Sequence, residues 1–561
     1  GNYRQLNGLI SGAGGFTLAS GGGVPGLELT NSGNNFEGDV TINSGAYLRL
    51  TNSEVLPDTA SVNNNGNLRL DVAGGGTETI SGLSGTGSVW VPLGNNNLHT
   101  LRVGAGDASS TFAGQLGPTG QNNSFLALTK IGNGTLTLTG GGLASGGVTV
   151  DGGTLRLQAG RGFNEGFFTN INNLSYTVNS GATLEVATAW NVRDNTTVSI
   201  NGGVLSFLAD NYLNNVNLDE GTITTIGVDR PWRTGNWAPG VINVNNSGAG
   251  SSNISGLLTF VGTAAGPTTT FNVADGTAPV DLSVSSTIFD HPGFEGDMQL
   301  VKTGAGLMSL TGNLDYQGNT VVNAGTLRLA QGNPFPALGA TGQFGSPHTV
   351  IVNNGATLQI NADWLLGDGL ANEVIVNGGT LQFLNSDNYL GNITLDEGTI
   401  NTAGGTRPWR TGNWGSGLIT VNNTGAGMST INGTLFFVGT PAAPNTTFNV
   451  ANGAADIDLA MNAVIHDHPG FEGDMQLVKT GTGTMNLTAN NTYEGATIVN
   501  DGVLKVSADN ALGAAGAGQG TTVNSPGAVE LASGVNTPEP FFLNGAGSGL
   551  GALFINDGGA S

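Results

Sequence analysis

Between Val40 and Leu531 the chain returns about a dozen times to one phrase of alternating apolar and polar positions, roughly V-x-V-N-x-G-x-L-x-L. It stands as Val62–Leu70, Val148–Leu157, Val198–Phe207, Val350–Ile360, Val374–Phe383 and Val523–Leu531. Each phrase is two period-2 stretches joined by an Asn/Gly turn, so Val, Ile and Leu face one way and Thr, Ser, Arg and Gln the other. Such a unit cannot bury its apolar face alone, whereas a stack of units can. Recurrence at a period of tens of residues therefore predicts a solenoid. The inward set includes Leu155, Leu157, Val198, Ile200, Leu205, Phe207, Leu327, Leu329, Val374, Val376, Leu381 and Phe383.

A longer period lies over the short one. The form L-x-K-x-G-x-G occurs at Leu128, Leu300 and Leu477, and its lysines are 172 residues (302 − 130) and 177 residues (479 − 302) apart. One continuous β-solenoid over residues 1–561 is expected, with long repeats near 128–299 and 300–476 and partial units at 1–127 and 477–561. Two blocks are identical in both copies: RPWRTGNW at Arg230–Trp237 and Arg407–Trp414, and DHPGFEGDMQLVKTG at Asp290–Gly304 and Asp467–Gly481. Intervening stretches have drifted, which makes these blocks candidates for a requirement beyond coil geometry.

The anchors resemble the autotransporter-associated β-strand repeat, with its K-T-G-x-G-x-L-x-L strand, N-x-Y-x-G turn and T-x-V-x-x-G-x-L-x-L strand. The match runs through Lys302, Thr303, Gly304, Gly306, Leu310, Asn313, Tyr316, Gly318, Val322, Gly325, Leu327 and Leu329. It recurs at Lys479, Thr480, Gly481, Gly483, Leu487, Asn491, Tyr493, Gly495, Gly502, Leu504 and Val506. The resemblance implies an all-β, right-handed parallel β-helix with loop excursions, carried on a large exported bacterial protein at the cell surface. About 22 to 28 coils at ~4.8 Å each would extend roughly 110 to 135 Å.

Composition narrows the function classes. Net charge is −23, from 39 acidic and 16 scattered basic residues, so the Lys/Arg stripe needed for nucleic acid is missing. Glycine is 96 of 561 residues, but there is no G-X-Y period, which excludes collagen. The absence of cysteine excludes a disulfide framework and thiolate chemistry. No apolar run approaches the ~18 residues of a membrane span. The chain opens Gly-Asn-Tyr without a leader pattern and is expected to be an excised mature piece. Its C-terminal end has no run of barrel strands, so the expectation is either that a barrel was removed or that the parent is a large non-autotransporter surface protein that shares only the repeat.

Candidate chemistry is sparse. Gly21–Gly26 fits G-x-G-x-x-G but leads into alternating residues rather than a helix, so no dinucleotide site is expected. Asp290-His291 and Asp467-His468, with Glu295, Asp297, Glu472 and Asp474 nearby, suggest a structured loop first and a contact or cation site second. His466 adds an imidazole to the second copy where the first has Phe289. Asp219-Glu220-Gly221 and Asp396-Glu397-Gly398 are the carboxylate pairs that a polysaccharide-cleaving β-helix would use, but they occupy turn slots. Arg230, Trp232, Arg233, Trp237, Arg407, Trp409, Arg410 and Trp414 hold four of the seven tryptophans. They fall outside the alternation, either as local lids or as contacts to protein or glycan.

The expected function is non-enzymatic: an extracellular structural or adhesive segment (stalk, fibre or adhesin passenger) acting by rigid reach and repeated contacts. No catalytic residue, cofactor or metal is expected. The expected partners are further copies of the chain, in a filament or bundle, or a cell-surface or glycan ligand. A polysaccharide-binding or polysaccharide-cleaving β-helix is the alternative.

Overall fold

A computed structural model describes residues 3–20, 26–92, 96–117, 125–142, 145–159, 175–189, 192, 196–227, 232–234, 239–262, 268–291, 298–330, 348–363, 373–384, 387–403, 408–411, 416–439, 444–469, 475–516, 519–547 and 549–556. Among them the regular structure is β-strand apart from one short 3-10 turn at Ala105–Asp107. The described strand pairs are parallel, and the two longest sheets hold 20 and 19 strands. The molecule is a parallel β-helix, as the alternation and the anchors predict. Its contacts gather the residues into two compact units, Gly1–Thr269 with Gly276–Leu282 and Thr270–Asp275 with Ser283–Ser561.

In the first unit Leu155 faces Leu184, then Leu205, Ile223 and Ile254, one step per coil. In the second, Leu327, Leu358, Leu381, Ile400 and Ile431 form the equivalent interior column. All twelve residues expected inside are buried. Burying a Leu or Phe side chain contributes about 1.5–3 kcal/mol, and unbroken register is what lets every coil collect it. A one-residue slip would turn each column outward.

The lysine anchors obey the same parity. Phe125–Lys130 alternates exposed, buried, half-buried, buried, half-buried, buried, which places Lys130 inside with Leu126 and Leu128. Lys302 and Lys479 are equally buried. Each ammonium donates to three backbone carbonyls: Ile131, Gly132 and Gly152 for Lys130 at 2.6, 2.9 and 3.1 Å; Thr303, Gly304 and Ala324 for Lys302 at 2.9, 2.8 and 3.1 Å; Thr480, Gly481 and Asp501 for Lys479 at 3.0, 2.7 and 3.1 Å. The third acceptor always lies 22 residues on, so the lysine ties its own coil to the next. Gly481 has φ +75°, and a Cβ there would lie 2.4 Å from the Val450 carbonyl, which is why the turn beside the ammonium needs glycine.

Candidate functional site

The duplicated Arg/Trp block folds inward. Trp232–Arg233 is a two-residue strand paired with Asn211–Tyr212. Trp232 is 0% exposed and stacks on Phe207 with ring centroids 6.0 Å apart; Trp409, also 0% exposed, stacks on Phe383 at 5.9 Å. The Trp409 indole N–H donates to the Leu390 carbonyl at 3.2 Å. Both rings belong to the core, which corrects the expectation that they offer their faces to a partner. Arg230, Trp237, Arg407 and Trp414 lie outside the described residues.

The arginines follow the tryptophans. Arg233 is paired with Asp210, donates to the Tyr212 hydroxyl and lies over the Tyr212 ring at 4.5 Å from its centroid. Arg410 repeats this with Asp387 and Tyr389, at 4.3 Å. Burial pushes the Arg410 guanidinium down to about 10, while Asp363 pulls the other way. A buried guanidinium needs such a partner set, because charge taken out of water is costly unless paired and hydrogen-bonded. The partners come from a second duplicated phrase, D-N-Y-L at Asp210–Leu213 and Asp387–Leu390, offset by the same 177 residues (387 − 210). The repeat of this phrase at the same offset as the Arg/Trp block is the sequence signal that links the two.

Of the Asp/His block, Asp290 and Asp467 end the strands Thr287–Asp290 and Val464–Asp467, and each is fastened to the next coil. Asp290 Oδ2 accepts the Gln317 N–H at 2.9 Å, and Asp467 Oδ2 accepts the Glu494 N–H at 2.7 Å. His291 and His468 are half-buried beside them. His466 stacks on Phe436 at 5.2 Å, and its Nδ1 is 2.7 Å from the Thr492 hydroxyl. Glu295, Asp297, Glu472 and Asp474 lie outside the described residues. Among the described residues no group of three or more His, Asp and Glu is arranged to hold a metal ion.

The paired carboxylates close coil to coil. Asp219 accepts the Ser247 N–H at 2.7 Å and the Ser247 hydroxyl at 2.8 Å; Asp396 does the same with Thr424 at 2.7 and 2.7 Å. Glu220 and Glu397 both sit at φ 53°, in the left-handed region, and accept the N–H of Gly250 at 2.7 Å and Gly427 at 2.6 Å. A Cβ on Gly248 would lie 2.3 Å from the Glu220 carboxylate, so a larger residue there would require that carboxylate to shift. General acid/base work needs a carboxylate facing a substrate, whereas these four face the backbone of the following coil.

With that geometry in view, residues 128–157, 300–329 and 477–506 match the passenger-associated-transport-repeat family. The chain carries three passenger-associated-transport repeats. They coincide with the three buried-lysine anchors and mark an extracellular or cell-surface chain. The chain is also similar to the adhesin BmaC autotransporter of Brucella suis biovar 1 (strain 1330), at 26% identity over 570 residues. The alignment takes in 93% of this chain and 16% of that protein, so the chain spans about a sixth of its relative's length. No helix among the described residues is long and apolar enough to cross a membrane.

Proposed function

We propose that the chain is a non-enzymatic, adhesive segment of a cell-surface passenger, acting by reach and by repeated contacts rather than by turnover. The observation that carries this reading is the state of the duplicated carboxylates: Asp219, Glu220, Asp396 and Glu397 each accept hydrogen bonds from the next coil. Similarity to an autotransporter adhesin supports the adhesive half of the reading. Its repeat architecture suits weak contacts made many times, which gain avidity when geometry allows simultaneous engagement.

Beads coated with the purified chain should adhere to intact cells or to glycan-coated surfaces above beads coated with an unrelated acidic protein. Incubation with neutral and acidic polysaccharides should release no new reducing ends. Turnover that vanishes in an Asp219→Asn, Asp396→Asn double variant would overturn the non-enzymatic reading.

A further inference from the structure

The outer face of one sheet in the second unit carries two stacked columns, one of threonine and one mostly of amides. It spans the strands Thr326–Leu329, Thr357–Ile360, Thr380–Leu384, Thr399–Ala403 and Ser429–Asn432. Thr326 stands opposite Thr357, then Thr380, Thr399 and Thr430, which makes one unbroken threonine column over five coils. Their inward neighbours are the buried leucine and isoleucine column, so the five hydroxyls face outward. None of these hydroxyls is bonded to another described residue.

Two residues along each strand lies a second column, Arg328, Gln359, Gln382, Asn401 and Asn432. The Arg328 Nε donates to Gln359 Oε1 at 3.0 Å, and Gln359 Nε2 to Gln382 Oε1 at 3.1 Å. Asn432 donates to Asn401 at 2.8 Å, and Asn462 to Asn432 at 2.9 Å. These bonds orient the amides on either side of a break between Gln382 and Asn401, and leave each bonded NH2 a second proton and each bonded carbonyl a second lone pair. Hydroxyls and amides thus form a grid of roughly 4.8 by 6.6 Å, repeated over about 19 Å. No Asp or Glu occurs in the five strands.

We propose that this threonine and amide face binds a neutral polysaccharide. Apart from Arg328 at one end, the columns hold only uncharged donors and acceptors, which match ring hydroxyls that both donate and accept. Charge decides between occupants: the chain carries −23, so an acidic polymer and a second copy are both repelled, and a neutral polymer is not. The corresponding face of the first unit interrupts its amide position with the ion pair Arg156–Glu185 at 2.5 Å and serves as an internal comparison. The proposal rests on the adhesive reading above and names the partner and the face.

The test uses the full chain in pull-downs on cellulose, β-1,3-glucan and mannan, with alginate as the acidic comparison. The wild type should be retained by at least one neutral polymer and not by alginate. Replacing Thr357, Thr380 and Thr399 together with Val keeps β-branching and removes three hydroxyls, and should weaken retention about tenfold or more. Circular dichroism and the thermal midpoint should be unchanged. A Thr154→Val, Thr183→Val variant in the first unit should bind as wild type. Wild-type retention by the triple variant, equal retention on alginate, or no retention of the wild type on any neutral polymer would each overturn the proposal. So would self-association that the triple variant abolishes, since the occupant would then be a second copy. If coated beads adhere to cells and the triple variant adheres equally, this face is wrong and the adhesive reading stands; if the wild type adheres to nothing, both fall.

Discussion

A lysine ammonium inside a β-helix is stable only because its surroundings are made of carbonyl oxygen. Desolvation by burial pushes the Lys479 ammonium down to about 8, with Asp501 and Asp458 pulling upward. Three carbonyls around each anchor supply what water would otherwise supply. Lys302→Met keeps the stem and removes the donors, so three buried acceptors lose a partner. A loss of about 2–4 kcal/mol is expected, since an unmet buried polar group costs ~1–3 kcal/mol and an ammonium's desolvation cost is relieved. A urea titration checks this, and an unchanged midpoint would show that the carbonyls find other donors. A second buried group gives a pH signature. His348 Nε2 lies 2.8 Å from the Thr320 hydroxyl, which also meets the Tyr316 hydroxyl, and burial holds the imidazole down to about 4. The unfolded chain binds a proton near pH 6.5 that the folded chain refuses until about 4, so this contribution is complete above 6.5 and is lost as pH falls between those values. The loss reaches up to about 3 kcal/mol by pH 4, and a His348→Gln variant should flatten that part of the stability-versus-pH curve.

At the scale of the strand and coil, the alternation was legible because it reports parity. Leu205, Phe207, Leu381 and Phe383 take inward positions in the phrase and are buried. The same parity places Lys130, Lys302 and Lys479 inside, although a charge in a consensus motif is easily taken for a surface feature. The Arg/Trp block was harder to read, for a physical reason: Trp232–Arg233 is two residues long, too short to show a period. Its destination depends on Asp210 and Tyr212 from the preceding coil. The carboxylate pairs read as turns, but their partner loops lie 26 to 30 residues downstream and meet them only through coil geometry. Because Trp409 packs on Phe383 and bonds to Leu390, Trp409→Ala should cost about 3–5 kcal/mol. That loss should appear as a lowered thermal midpoint, whereas an exposed contact residue would reduce adhesion and leave stability alone.

For the whole molecule the governing quantity is charge. Interior columns and coil-to-coil ties act between nearest neighbours, so they set local stability but not whether copies associate. The formal charge of −23 opposes association at neutral pH. The calculated isoelectric point is about 4.3, so acidification removes the repulsion in the same interval in which His348 weakens the fold. The two effects separate by variant and by salt. In sedimentation velocity the wild type should be dispersed at pH 7.5 in 50 mM salt and should associate progressively toward pH 5, with 500 mM salt reducing the difference between the two pH values by screening. His348→Gln should follow the same association curve while keeping its β-sheet signal to lower pH, if charge alone holds the copies apart. Association that shifts to lower pH with the variant would instead assign the acid response to partial opening around His348.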